Sequence, residues 1–397
     1  MLKLDIKRYK MIEVYIFCLL LSFNITNLVV IPIGNRSVHI HHIITFFFCV
    51  WTCFHFKKFK LKMNMLILYY FFALFVSIIV AFKYGIGSTF VNVIYCLILF
   101  LLVSTWSEDI DIERIYKIIQ YVGYILMAAS TINLLIQWDK VLYSFDVKAA
   151  HLLVETLVAG GANIEATFLA TYACFFLYQK KYSLWVFSLF IAILYSSRVA
   201  IVLNIISLVL YLFYFLKNTN RRKLNNTIRK KMFILVIAAI AILMTLYYKE
   251  YFNHIIYRFS NSRKDVGSLH RIQLWTNALD VFKSNPFGVG IGNAITCANE
   301  LNENPIPLEN IHCVYLQVLV ETGVIGFILF LLSVYQIFRK AIKTRFSNPL
   351  GSMAVGYLFC CLLQFRGVEP LYIIVIALFL LHDDSLFNSL SDKEDDL

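Results

Sequence analysis

Cations and an imidazole on one side of a very apolar chain are the residues most able to do chemistry. Arg198 follows Tyr195-Ser-Ser, Arg271 opens an amphipathic stretch, and Arg366 sits in the turn Phe365-Arg-Gly-Val-Glu-Pro370. Arg258, Arg263 and Lys264 lie in the long segment between two apolar blocks. The planar guanidinium fork suits phosphate and diphosphate oxygens. An arginine at a helix end also snorkels to lipid headgroups without further purpose, so each has a bland reading beside the sharp one. His312 stands where the long segment meets an apolar block, and imidazole accepts a proton from an attacking hydroxyl near neutral pH. The bland reading there is polar trim at an interface. Glu321, nine residues on, falls well inside that block, where a carboxylate is costly and is either functional or paired. Gly323 and Gly326 let a neighbouring helix approach closely, so a packing notch with Glu321 bonded across it is equally open.

These residues must be positioned by membrane helices. The chain has 397 residues, 60% apolar and 15% charged, against nearer half and a quarter for soluble domains. Runs of about 20 apolar residues span a bilayer as helices. Counting them gives twelve blocks, at 11–33, 39–56, 63–82, 86–106, 114–136, 160–178, 182–196, 198–216, 231–248, 312–338, 349–366 and 368–382. The weakest is 160–178, with Asn163 and Glu165 near its start, and 368–382 is short enough for a partial insertion. The fold class expected is all-α, one integral membrane domain over 1–397. No cleavable leader is expected, because the first block is long and lacks a small-residue cleavage site.

The charge pattern supports that count. With the N-terminus in the cytoplasm, 24 of the 36 Lys and Arg fall on cytoplasmic segments, and every strongly basic short loop lands on one face. The net charge of +12 therefore reads as topology, not as nucleic-acid binding. The C-terminus is then also cytoplasmic. Arg198, Arg271, His312 and Arg366 fall at the external face.

One external segment, 249–311, has 63 residues, too long for a connector. Within it Ile272, Trp275, Leu279 and Phe282 follow helical spacing, which predicts a short helix on the external membrane surface with Trp275 toward the interface. Pro286 and Gly288, Gly290 and Gly292 should end it. This Gly-x-Gly-x-Gly run follows a helix, not a strand, so a nucleotide-binding loop is rejected. His39, His41 and His42 cluster at a helix start, but no acidic or thiol ligand accompanies them at metal-binding spacing. Cys297 and Cys313 could pair in an oxidising compartment. No metal and no cofactor is expected.

Three motifs in order resemble the O-antigen ligase and O-antigen polymerase superfamily: Tyr195-Ser-Ser-Arg198-Val-Ala200; Arg271-x-x-Leu-Trp-x-x-Ala-x-x-x-Phe-x-x-x-Pro286-x-Gly-x-Gly290; and His312 followed by Glu321, Gly323 and Gly326. Together they cover about 60 residues. Gly160-Gly-Ala-Asn163-Ile-Glu-Ala166 resembles a looser motif of the same group. Cys313 departs from the pattern, which usually has a small amide or hydroxyl residue after the histidine; this changes the hydrogen bonding expected there. The resemblance implies a bacterial inner-membrane glycosyltransferase with its active site at the periplasmic face. Its donor would be an undecaprenyl-diphosphate-linked oligosaccharide, and an acceptor hydroxyl would displace the lipid diphosphate. By that resemblance Arg198 and Arg271 stabilise the leaving group and His312 is the general base or orients the acceptor. Glu321 holds the His312 helix, and Arg366, Arg258 and Arg263 join Glu321 around the substrate.

A polymerase extending lipid-linked repeat units is the leading expectation. A ligase moving glycan onto lipid A–core is second, and a polytopic transporter is a third reading disfavoured by the absence of an internal repeat. A chain-length regulator is a candidate partner beside the bilayer itself.

Overall fold

A computed structural model describes residues 10–27, 30–33, 36–55, 63–146, 153–218, 266–302, 305–306, 310–364 and 367–382. Fourteen helices and one short hairpin make up these residues. The elements are α1 (Met11–Phe23), β1 (Val30–Ile33), β2 (Arg36–His39), α2 (Ile40–His55), α3 (Met65–Tyr84), α4 (Phe90–Thr105), α5 (Ile112–Ile136) and α6 (Trp138–Asp146). Then come α7 (Ala162–Tyr178), α8 (Tyr182–Leu194), α9 (Arg198–Asn218), α10 (Val266–Ser284), α11 (Ala294–Asn299), α12 (Val314–Lys343), α13 (Pro349–Cys360) and α14 (Pro370–Leu381).

Four of these, α3, α5, α9 and α12, are long and apolar enough to cross a membrane, and six more apolar helices are shorter. The all-α expectation holds. Most of the twelve expected blocks coincide with a helix; the block at 231–248 lies outside the described residues. The first block is shorter than expected. Its helix ends at Phe23, and Val30–Ile33 pairs antiparallel with Arg36–His39 in a hairpin, because Pro32 and Gly34 cannot extend a helix there.

Burial sorts the helices into a centre and a periphery. Helices α7, α13 and α14 are buried almost all round. An all-round buried helix belongs at the middle of a large bundle. That explains the polar character of α7: Thr167 and Thr171 face protein, and Thr171 shares a hydrogen bond with Tyr372 of α14 at 2.7 Å. Helix α14, 12 residues long, is likewise covered by protein rather than exposed at the periphery. The periphery shows bare apolar stripes, such as Phe71, Phe75, Ile78 and Phe82 on α3 and Ile325, Ile328 and Leu332 on α12. In a lipid-facing position these need no partner.

The basic end of the bundle is tied together by charges. Lys10 donates to the Asp109 carbonyl at 2.7 Å, Arg114 pairs with the fully buried Glu13 at 3.3 Å, and Lys340 donates to the His382 carbonyl at 2.5 Å. The other end carries a cavity.

Candidate active site

A cavity of about 760 Å³ opens among the helix ends remote from the basic connections. Its wall is assembled from the α1 C-terminus, the α2 and α7 N-termini, one turn of α4, α10, the 310–312 segment and the α13–α14 connection. Arg271 and His312 both line it.

Sequence places these two together through one turn of α10. Leu274 and Ala278 are fully buried and seat the helix against the bundle. Trp275, one turn after Arg271, donates its indole N–H to the Ile311 carbonyl at 2.8 Å. The residue before His312 is thereby clamped to the helix that carries Arg271. The buried stripe is Leu274, Ala278 and Val281, while Ile272 and Leu279, on the face the spacing picks out, are about half exposed, at 50% and 45%.

His312 is held in an uncommon conformation. Its φ of 55° is left-handed, a strain that non-glycine residues tolerate mainly at functional sites. The Asn310 side chain accepts its backbone N–H at 2.7 Å, and the next helix is fixed by the Val314 N–H donating to the Cys361 carbonyl at 2.8 Å. The imidazole Nδ1 is buried without a hydrogen-bond partner. Burial, and then the Arg271 charge, pull the His312 pKa down to about 4. At neutral pH the ring is an unprotonated base.

Glu321 does not line this cavity. It is 6% exposed, and its Oε1 accepts the Gly292 N–H at 2.9 Å and the Gln317 amide at 3.1 Å. The backbone carbonyls of Val320 and Glu321 accept the N–H groups of Val289 and Gly290 at 3.0 and 2.9 Å. A break in α12 at Gly323, with φ 66°, makes room: the Val324 N–H donates to Pro286 across the gap at 3.1 Å. The Pro-x-Gly-x-Gly run is therefore a strap folded onto the kink of α12, with the Glu321 carboxylate capping the turn before α11. The Glu321 carboxylate thus faces protein and ties α12 to the strap.

A Cβ at Gly288, whose φ is 96°, would meet the Glu321 carbonyl at 2.5 Å. Gly85 has a similar φ of 74° with nothing within 4 Å. Gly288→Ala is expected to cost roughly 2–4 kcal/mol, from backbone strain plus overlap with a backbone that cannot yield. Gly85→Ala should cost about 1 kcal/mol from strain alone. Thermal unfolding of the two purified variants measures the difference; equal midpoints would remove the strap's role.

Arg198 begins α9 and is half-buried, but it is not among the residues lining the cavity. Its hairpin is anchored by Glu165. The Tyr195 hydroxyl donates to Glu165 Oε1 at 2.8 Å, Ser130 donates to the same oxygen at 2.6 Å, and the Leu157 N–H donates to Oε2 at 2.6 Å. Glu165 is fully buried and joins α5, the segment before α7 and the Tyr-Ser-Ser-Arg hairpin. Sequence reasoning treated it as a blemish in a weak span. The signal was present as a carboxylate in an apolar block beside Gly160-Gly161, whose neighbour Gly160 lines the cavity with Asn163. The structure thus brings Arg271 and His312 together, sets Arg198 one hairpin away, and gives Glu321 a supporting place. Arg258, Arg263, Lys264 and Arg366 lie outside the described residues. Cys297 and Cys313 are free thiols. The three histidines His39, His41 and His42 line the same cavity as Arg271 and His312.

Fold and cavity define a helical membrane protein with a chamber of mixed polar and apolar lining at one end of its bundle. The sequence model of a family described as O-antigen ligase matches residues 183–331, which hold Arg198, Arg271, His312 and Glu321. That match falls on the segment that carries the three motifs, in agreement with their resemblance. No curated protein sequence matches the chain.

Proposed function

We propose that the protein transfers a glycan from undecaprenyl diphosphate to an acceptor hydroxyl at the periplasmic face of the bacterial inner membrane. The observation that carries this is the sharing of one cavity by Arg271 and an unprotonated His312. The acceptor oxygen attacks the anomeric carbon, its proton passes to the His312 imidazole, and the bond from that carbon to the diphosphate oxygen breaks. Negative charge grows on the departing lipid diphosphate, where Arg271 sits, with Arg366 as a further cation for the same group. Arg258 and Arg263 belong to the substrate-facing segment. The cavity gathers helix ends that the distribution of Lys and Arg assigns to the external side, which supports the periplasmic placement.

The polymerase form, adding the glycan to another lipid-linked repeat unit, is favoured by the Gly-x-Gly-x-Gly run after Pro286. The ligase form, with lipid A–core as acceptor, is favoured by the description of the matched family. Cells lacking the gene separate them. Surface lipopolysaccharide resolved on a gel is expected to show the core with a single repeat unit; core with no repeat would make the protein a ligase. An unchanged ladder would remove both.

A further inference from the structure

The cavity has a second polar wall that the transfer chemistry leaves unused. His39 at the end of β2, His41 and His42 in the first turn of α2, and Tyr95 of α4 contribute to it. Their rings lie against one another: His41 and His42 have centroids 4.2 Å apart, His39 stacks on His41 at 5.3 Å, and His42 meets the Tyr95 ring at 5.0 Å.

Local bonds fix what each ring edge offers. His39 Nδ1 lies 3.0 Å from the Thr26 carbonyl, so Nδ1 carries the proton and Nε2 is left as an acceptor. His42 Nδ1 accepts the His39 backbone N–H at 3.1 Å, so in neutral His42 the proton sits on Nε2, a donor. His41 is only 7% exposed and backs the other two rings. Diphosphate oxygens only accept, so they would oppose the His39 Nε2 lone pair. A sugar hydroxyl both donates and accepts, and the C–H face of a sugar ring packs on aromatic surfaces.

We propose that His39, His41, His42 and Tyr95 form a saccharide-binding subsite that holds a sugar of the glycan in the cavity shared with Arg271 and His312. This rests on the glycan-transfer reading above. The test uses full-length protein in detergent and native mass spectrometry with two probes. One is undecaprenyl diphosphate; the other is the lipid-linked glycan extracted from cells in which the gene is deleted. The wild type is expected to bind the glycan-bearing lipid about tenfold more tightly than the bare lipid. His42→Phe should reduce affinity for the glycan-bearing lipid at least about fivefold and for the bare lipid less than about twofold. Should His42→Phe lose its thermal transition, His39→Phe carries the same comparison, since it removes the Nε2 acceptor. Equal losses on both probes, no loss on either, or no wild-type preference for the glycan would overturn the subsite. Wild-type protein that binds neither probe above a phospholipid control would overturn the transfer reading, and the subsite with it.

Discussion

His312→Ala is expected to lower the rate of glycan transfer by about 10²–10⁴-fold while leaving affinity for the lipid-linked donor within about threefold. The size follows from removing a positioned base. Burial, and then the Arg271 charge, keep the ring neutral, so it retains a lone pair. His312→Gln should be nearly as slow, since an amide retains polarity but accepts no proton. The pH profile gives an independent check. The catalytic form is the unprotonated ring, and a pKa of about 4 places its loss well below neutrality. In kcat/KM, which reports the free enzyme, activity should stay level from neutral pH down to about pH 5 and fall below that. An acid limb near 6.5, the value for an exposed histidine, would show that the ring is not held as described.

Arg271→Ala is expected to cost about 10²–10³-fold in kcat/KM, because it removes a cation beside the base where leaving-group charge develops. Arg271→Lys should restore only part of this, since an ammonium lacks the planar fork. A second effect separates Arg271 from a purely structural residue. Its charge disfavours the imidazolium form of His312. Without it the His312 pKa rises, so the residual activity of Arg271→Ala should show an acid limb moved upward from the wild-type position. Burial, the larger cause, remains, so the shift stops short of the exposed value. Unchanged donor affinity together with an unmoved limb would count against Arg271 as a partner of both groups.

Much of the bundle is written in the order of apolar blocks, because twenty-residue apolar runs and the sidedness of basic loops are strong, local signals. Arg271 and His312 were legible for a related reason: charged and titratable residues at the disfavoured face stand out. What escaped depends on partners far along the chain. The carboxylate of Glu165 looks like a flaw until Tyr195, Ser130 and the Leu157 amide converge on it. His39, His41 and His42 look like a metal site in search of ligands until Arg271 and His312, more than 200 residues later, arrive at the same cavity. The strap at 286–292 needed the kink at Gly323 to explain its glycines. The helix over 271–282 was legible from its period, but not the second stripe, Leu274, Ala278 and Val281, that it buries: in a membrane protein both lipid-facing and core-facing stripes are apolar.

Reconstitution of the purified protein with lipid-linked glycan from gene-deleted cells tests the pairing of Arg271 and His312 most directly. Product glycan and released undecaprenyl diphosphate are followed together with donor binding. Wild-type protein should make both; His312→Ala should bind donor and make neither; Arg271→Ala should lose donor affinity as well as turnover. Turnover by His312→Ala within about threefold of wild type would contradict a base at that position.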